Sequence, residues 1–81
     1  MKNKIEKIKE DILNSAASAI STLMQSFDNK EDRLNSLRRI NPTPEKDILK
    51  RVYNIAQERE DFEACDALKD FFVEKNIRFD E

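Results

Sequence analysis

Residues 44–75 read PEKDILKRVYNIAQEREDFEACDALKDFFVEK, and the reading of this stretch decides the fold. Ile48, Leu49, Val52, Ile55 and Ala56 recur at steps that place them on one face of a helix, with Tyr53 at its margin. Gln57-Glu58-Arg59-Glu60-Asp61 then contains no apolar residue. Asp61 is a good N-cap, and apolar residues resume at helical spacing through Phe62, Cys65, Leu68 and Phe72. Asn76 tolerates the left-handed conformation that ends a helix, with Ile77 folding back on Phe72 or Val73. The stretch therefore predicts two helices, 44–58 and 62–75, running antiparallel. Leu49, Val52, Ala56, Cys65, Leu68 and Phe72 are expected between them, and the turn at Glu58–Asp61 is expected to be too polar to bury.

Upstream, Asn41-Pro42-Thr43-Pro44 is a break, because neither proline donates a backbone hydrogen bond and each disfavours helix at the residue before it. Thr43 ahead of Pro44 predicts a helix start at Pro44. Asp28 with Glu31 three residues on fits a capping box for a short helix over 30–40, carrying Leu34, Leu37 and Ile40 inward. Before it, Ile5, Ile8, Ile12, Ala16, Ala19, Ile20, Leu23 and Phe27 mark one stripe of a helix spanning about 3–27. Its small residues from Asn14 to Ala19 permit close approach of a neighbouring helix, from the same chain in preference to a second copy. No segment alternates with the period of a strand. The expected fold is all-α: one domain over 1–81, a bundle of three to four helices with a C-terminal antiparallel helical hairpin.

Composition removes whole classes of chemistry. With 81 residues the chain allows one modest core, burying about 60% of its unfolded surface. Glycine is absent, so no phosphate-cradling glycine loop can form. Histidine is absent and Cys65 is the single cysteine, so no intramolecular disulfide and none of the usual zinc or haem ligand sets can be assembled. Low cysteine usage points to a reducing compartment, and the opening residues lack an apolar run of signal-peptide length. The expected location is cytoplasmic, with no membrane segment. Charged residues make up 40% of the chain, with a net charge of −2. Residues 60–81 alone carry three basic against eight acidic side chains, which disfavours nucleic acid as the ligand.

The last two helices resemble the UVR motif, the helical hairpin of the UvrB and UvrC repair proteins and of some chaperone-associated proteins. Leu49, Tyr53 and Ala56 match its first helix, and Phe62, Glu63, Cys65, Leu68, Lys69 and Asp70 its second. Phe72 stands where the family places an aliphatic residue, Glu60 where an apolar one is usual, and Asp66 replaces one of a pair of small residues. The resemblance covers residues 48–72. It implies a module for protein interaction and pairing, without catalysis.

Candidate sites follow from what is left. Helix 62–75 has apolar residues on more than one side. Either it is central and packed on two sides, or Phe71, Val73, Ile77 and Phe79 form an exposed protein-binding patch with an acidic rim. The N-terminal stripe, with Ile8 and Ile12 at its centre, is the other protein-binding candidate, as a coiled-coil-like seam. Arg33, Arg38 and Arg39 are the alternative anion-binding set. Glu58, Glu60, Asp61 and Glu63 are weighed as cation ligands and read instead as a solvated loop, with no cofactor or metal expected. Cys65 reads as a core residue, since no histidine exists to activate it. The expected function is non-enzymatic: a small helical adaptor or inhibitor, in the style of a phage or mobile-element accessory protein, that binds a protein partner and forms a homo-oligomer. The alternatives are a nucleic-acid-binding regulator using the central arginines, or a helical oligomer sequestering a small anionic ligand.

Overall fold

The computed structural model describes residues 4–78, which form four helices and no strand: α1 (Lys4–Gln25), α2 (Lys30–Arg39), α3 (Lys46–Glu58) and α4 (Phe62–Glu74). The all-α bundle is as expected. Its pairings are less expected: α1 packs most extensively on α3 and α2 on α4, while the α3–α4 contact joins the two pairs. The six residues expected between α3 and α4 all lie in the buried core, together with Ala17, Met24, Leu34, Leu37, Tyr53, Ala64, Ala67 and Phe71. Tyr53 belongs to that core and not to its margin.

Helix starts depart from the sequence reading by small, explicable shifts. Asn29, not Asp28, caps α2: its Oδ1 accepts from the Asp32 amide at 2.8 Å while its Nδ2 donates to the Asp32 carboxylate at 3.2 Å. The N-cap thus sits one residue later than expected, and Asp32 answers it through the Asn29 side-chain amide, not through the main-chain N–H of a capping box. The third helix begins at Lys46, behind an extended Glu45 that makes no side-chain cap. Pro44 fixes φ at a value shared by helix and polyproline, so proline alone does not determine which of the two follows.

Both ends of the hairpin close by the same device. At the end of α3, Asp61 N donates to Ala56 O at 2.8 Å and Glu60 N to Gln57 O at 3.0 Å, with Glu60 left-handed at φ 58°. At the end of α4, Ile77 N donates to Phe72 O at 2.8 Å and Asn76 N to Val73 O at 3.1 Å, with Asn76 at φ 57°. These are Schellman closures, normally built with glycine. A chain without glycine uses Asn at one and Glu at the other. Asp61 then turns round to cap α4, accepting from Ala64 N at 3.4 Å.

Asp61 is also where the expectation of a solvated turn fails. Its side chain is nine-tenths buried and pairs with the equally buried Arg33, whose NH1 donates to Asp61 Oδ1. The remaining face of the guanidinium grips the carbonyl of Phe27, from Nε at 3.0 Å and NH2 at 2.8 Å. One side chain from α2 thus ties the α1–α2 turn to the α3–α4 turn. Asp61 Oδ2 is buried without a hydrogen-bond partner.

Arg51 donates to Asn14 at 2.6 Å, and Arg59 reaches Ser21 at 3.2 Å and Gln25 at 3.1 Å. The two helices therefore run in the same direction and finish together beside the clamp. A helix of 22 residues is about 33 Å long and one of 13 about 20 Å, so α1 overshoots the start of α3 by roughly two turns. The molecule is accordingly elongated, 41 × 25 × 23 Å.

Replacing Glu60 by Gly removes the Cβ penalty of the left-handed site, partly offset by the extra freedom of the unfolded chain. The expected gain is about 0.5–1 kcal/mol, read as a rise of a few degrees in the thermal midpoint by circular dichroism. Asp61→Ala should do the opposite and cost about 3–5 kcal/mol, because it strands a buried guanidinium. The double change Asp61→Ala with Arg33→Met should cost clearly less than the sum of the two single changes in denaturant titrations. Additive losses would show that the two side chains do not act as a pair.

Candidate interaction surface

The face that α1 turns to the core is not the isoleucine stripe. Ala17, Ser21 and Met24 are buried, with Leu13, Ala16 and Ile20 partly covered. The reason is size: Ala17 and Ser21 leave room for the α3 backbone, and Arg59 satisfies the Ser21 hydroxyl. Close intramolecular packing of this small-residue stretch is what the sequence led us to expect. The consequence for the other side of the helix is larger. Ile5, Ile8 and Ile12 are 77%, 57% and 63% exposed, and Leu23 and Ala19 continue the exposed line. Ile5 and Ile8 sit on or beside the overhang, and all three isoleucines face away from Ala17, Ser21 and Met24, while Asp47 of α3 borders α1 on the side of Glu6 and Glu10.

The C-terminal patch does not assemble. Phe71 is fully buried and belongs to the core, and Ile77 packs against that core as the lid of the α4 closure. Val73 is 82% exposed, and Phe79 lies outside the described residues. Helix α4 is the central element, covered by α2 on one side and α3 on another. Lys75, one turn on from Phe71, sets its ammonium 5.7 Å from the ring centroid, so this helix helps close over its own aromatic residue. Phe62 at the opening of α4 is exposed, outside the interface that Cys65, Leu68 and Phe72 share.

Two of the three arginines in the alternative anion-binding set are engaged within the fold. Arg33 is spent in the clamp. Arg38 donates to the Glu74 carboxylate, with Nε at 3.1 Å and NH2 at 2.6 Å, and to Asn35 at 2.8 Å. Only Arg39 of the three stands exposed without one of these two carboxylates. Arg38 holds the Glu74 carboxyl below its ordinary value, chiefly through the hydrogen bond. A lowered carboxylate stabilises the fold above the ordinary carboxylate range and loses that contribution as pH falls through its lowered value. Both groups are well exposed, so the contribution is small. Lys30 makes the companion bridge to Asp70 at 2.8 Å. These α2–α4 bridges use the acidity of α4 internally.

Among the described residues no three acidic or cysteine side chains converge as a metal site, so the carboxylates at residues 58–63 do not come together. A groove lies between α1 and α3. It is lined by Asn14, Ser18, Asn54 and a mix of both charge signs at Asp47, Lys50, Arg51 and Glu58, and so presents no net field to an ion. No helix of the described residues is long and apolar enough to cross a membrane.

Cys65 is buried in the core, as expected, and burial pushes its thiol up, with Asp66 adding to the effect and Lys69 opposing it. A raised thiol favours the fold below the ordinary thiol value, and that contribution is lost as pH climbs through the raised value. A thiol-specific reagent at mildly alkaline pH should therefore label the native chain slowly, and label it at the rate of a free thiol once denaturant is added.

The chain matches no protein-family model, no curated protein and no solved structure.

Proposed function

We propose that this chain is a non-enzymatic protein-interaction module, a small helical adaptor or inhibitor, whose contact surface is the outward face of α1. The observation that carries this reading is the exposure of Ile5, Ile8 and Ile12 on one side of a helix that overshoots its own bundle. Three large aliphatic side chains in line are a patch and not scattered exposure, and patches of that kind mark contacts. Their exposed fractions sum to roughly two whole side chains, so covering them contributes about 3–6 kcal/mol. Association costs about 4–15 kcal/mol. The partner must therefore add apolar surface of its own, as an amphipathic helix laid along α1 would.

The likeness of residues 48–72 to the UVR hairpin supports the same class of function, since that motif acts in interaction and pairing. In this chain the hairpin serves as the platform that α1 rests on. The nucleic-acid and anion alternatives lose their main residues to the clamp and to Glu74.

Affinity capture from the native host tests the proposal. Tagged chain carrying Ile8→Asp and Ile12→Asp should lose the specific partner that the unaltered chain retains, by about 10-fold or more in recovered amount. Both positions are exposed, so the helical circular dichroism signal should not change. Equal capture by both forms would sink the α1 reading.

A further inference from the structure

Resting on the reading of the α1 face as a contact surface, we infer that its occupant is a second copy of this chain, packed helix on helix and antiparallel over the first half of α1. Ile5, Ile8, Ile12, Ser15, Ala19 and Thr22 follow alternating steps of three and four. That spacing is the seam of a two-stranded coiled coil. It lies on the side of α1 away from Ala17, Ser21 and Met24, so the seam and the core contact do not compete for the same residues. A seam is best matched by another seam, and each copy brings one. Such a contact is its own complement and closes with two-fold symmetry, leaving no open end to polymerise.

Charge on the edges selects the direction. Lys4 and Asp11, both exposed, flank the seam on one edge, and Lys9 flanks it on the other. In an antiparallel pair that stacks Ile8 on Ile12 of the second copy, Lys4 stands opposite Asp11 of the second copy, and Asp11 opposite its Lys4. In a parallel pair in register, Lys4 of each chain faces Lys9 of the other. Edge charges of this kind set orientation in paired helices. The antiparallel register also brings the two Lys9 side chains toward each other. Lys9, however, borders a groove with Glu6, Glu10 and Asp47, whose carboxylates offset its charge.

The overhang supplies access. Residues 4–9 are exposed throughout, at the end of α1 that outruns α3 in a molecule of 41 × 25 × 23 Å. A second α1 can lie along the isoleucine side, while α3 keeps the side that carries Glu6 and Glu10. Large side chains are confined to Ile5–Ile12, and in this register Ser15 meets Ile5 of the second copy and ends the contact. The contact is therefore short, which makes the dimer reversible.

Sedimentation velocity over a wide concentration range tests this with the full chain and four variants, each at exposed positions and each checked for native helicity. The unaltered chain should pass from monomer to dimer, and Ile8→Asp with Ile12→Asp should remain monomeric. Lys4→Glu and Asp11→Lys should each weaken the dimer by about 10-fold at low salt, since each replaces two attractive pairs by two repulsive ones. The double exchange Lys4→Glu with Asp11→Lys should return to within about 2-fold of the unaltered chain. Tighter association of Lys4→Glu would show parallel pairing and overturn the inference, as would a double exchange no stronger than the single ones. A chain monomeric at every concentration overturns the second copy alone, and the α1 face stands if its aspartate variant still loses partner capture. Capture indifferent to that variant overturns the face itself, whatever the mass.

Discussion

The Arg33 clamp is the constraint on which the rest of the structure depends. A guanidinium on α2 holds a main-chain carbonyl after α1 and a carboxylate after α3 at the same time. Its planar fork suits this double duty, which a lysine could not perform. A buried pair of this kind adds little stability beyond what apolar side chains of the same size would supply. Its effect is geometric. The ends of α1 and α3 are brought to one level, and Asp61 is placed where it can close α3 and open α4 in a single residue.

Alignment at that end transmits the difference in helix length to the other. The helices α1 and α3 run in parallel from a common finish, so the surplus of α1 has to project past the start of α3. Ile5 and Ile8 lie on this projection, and Ile12 lies beside α3 on the outward side of α1. Their exposure follows from this projection and from the inward turn of Ala17, Ser21 and Met24, and it is the physical ground for reading α1 as the contact surface.

Acidity in α4 has a local use. Asp61, Asp70 and Glu74 face Arg33, Lys30 and Arg38 of α2. The pairing of α2 with α4 is thus written in complementary charge along its edges and in Leu34, Leu37, Ala64, Ala67 and Phe71 at its centre. Basic residues that looked available to a polyanion are the ones this pairing consumes.

The four helices, their breaks, the Asp61 cap and the Asn76 closure were legible in the sequence, because each depends on residues within one or two turns of one another. The hairpin core from Leu49 to Phe72 was legible for the same reason, since helical spacing places those side chains on facing sides. Which side of α1 turns inward was not. Periodicity identifies an apolar stripe, whereas the inward face was chosen by how closely α3 can approach, and Ala17 and Ser21 allow the shorter distance. Spacing left Phe71 open between core and contact surface, because α2, the helix that packs on α4, comes from a distant part of the chain. Arg33 appeared free because its carboxylate lies 28 residues away. Local rules of spacing and capping determined what the elements are. Only the packed bundle decided which surfaces they bury, because burial depends on pairs of residues that the chain brings together from a distance.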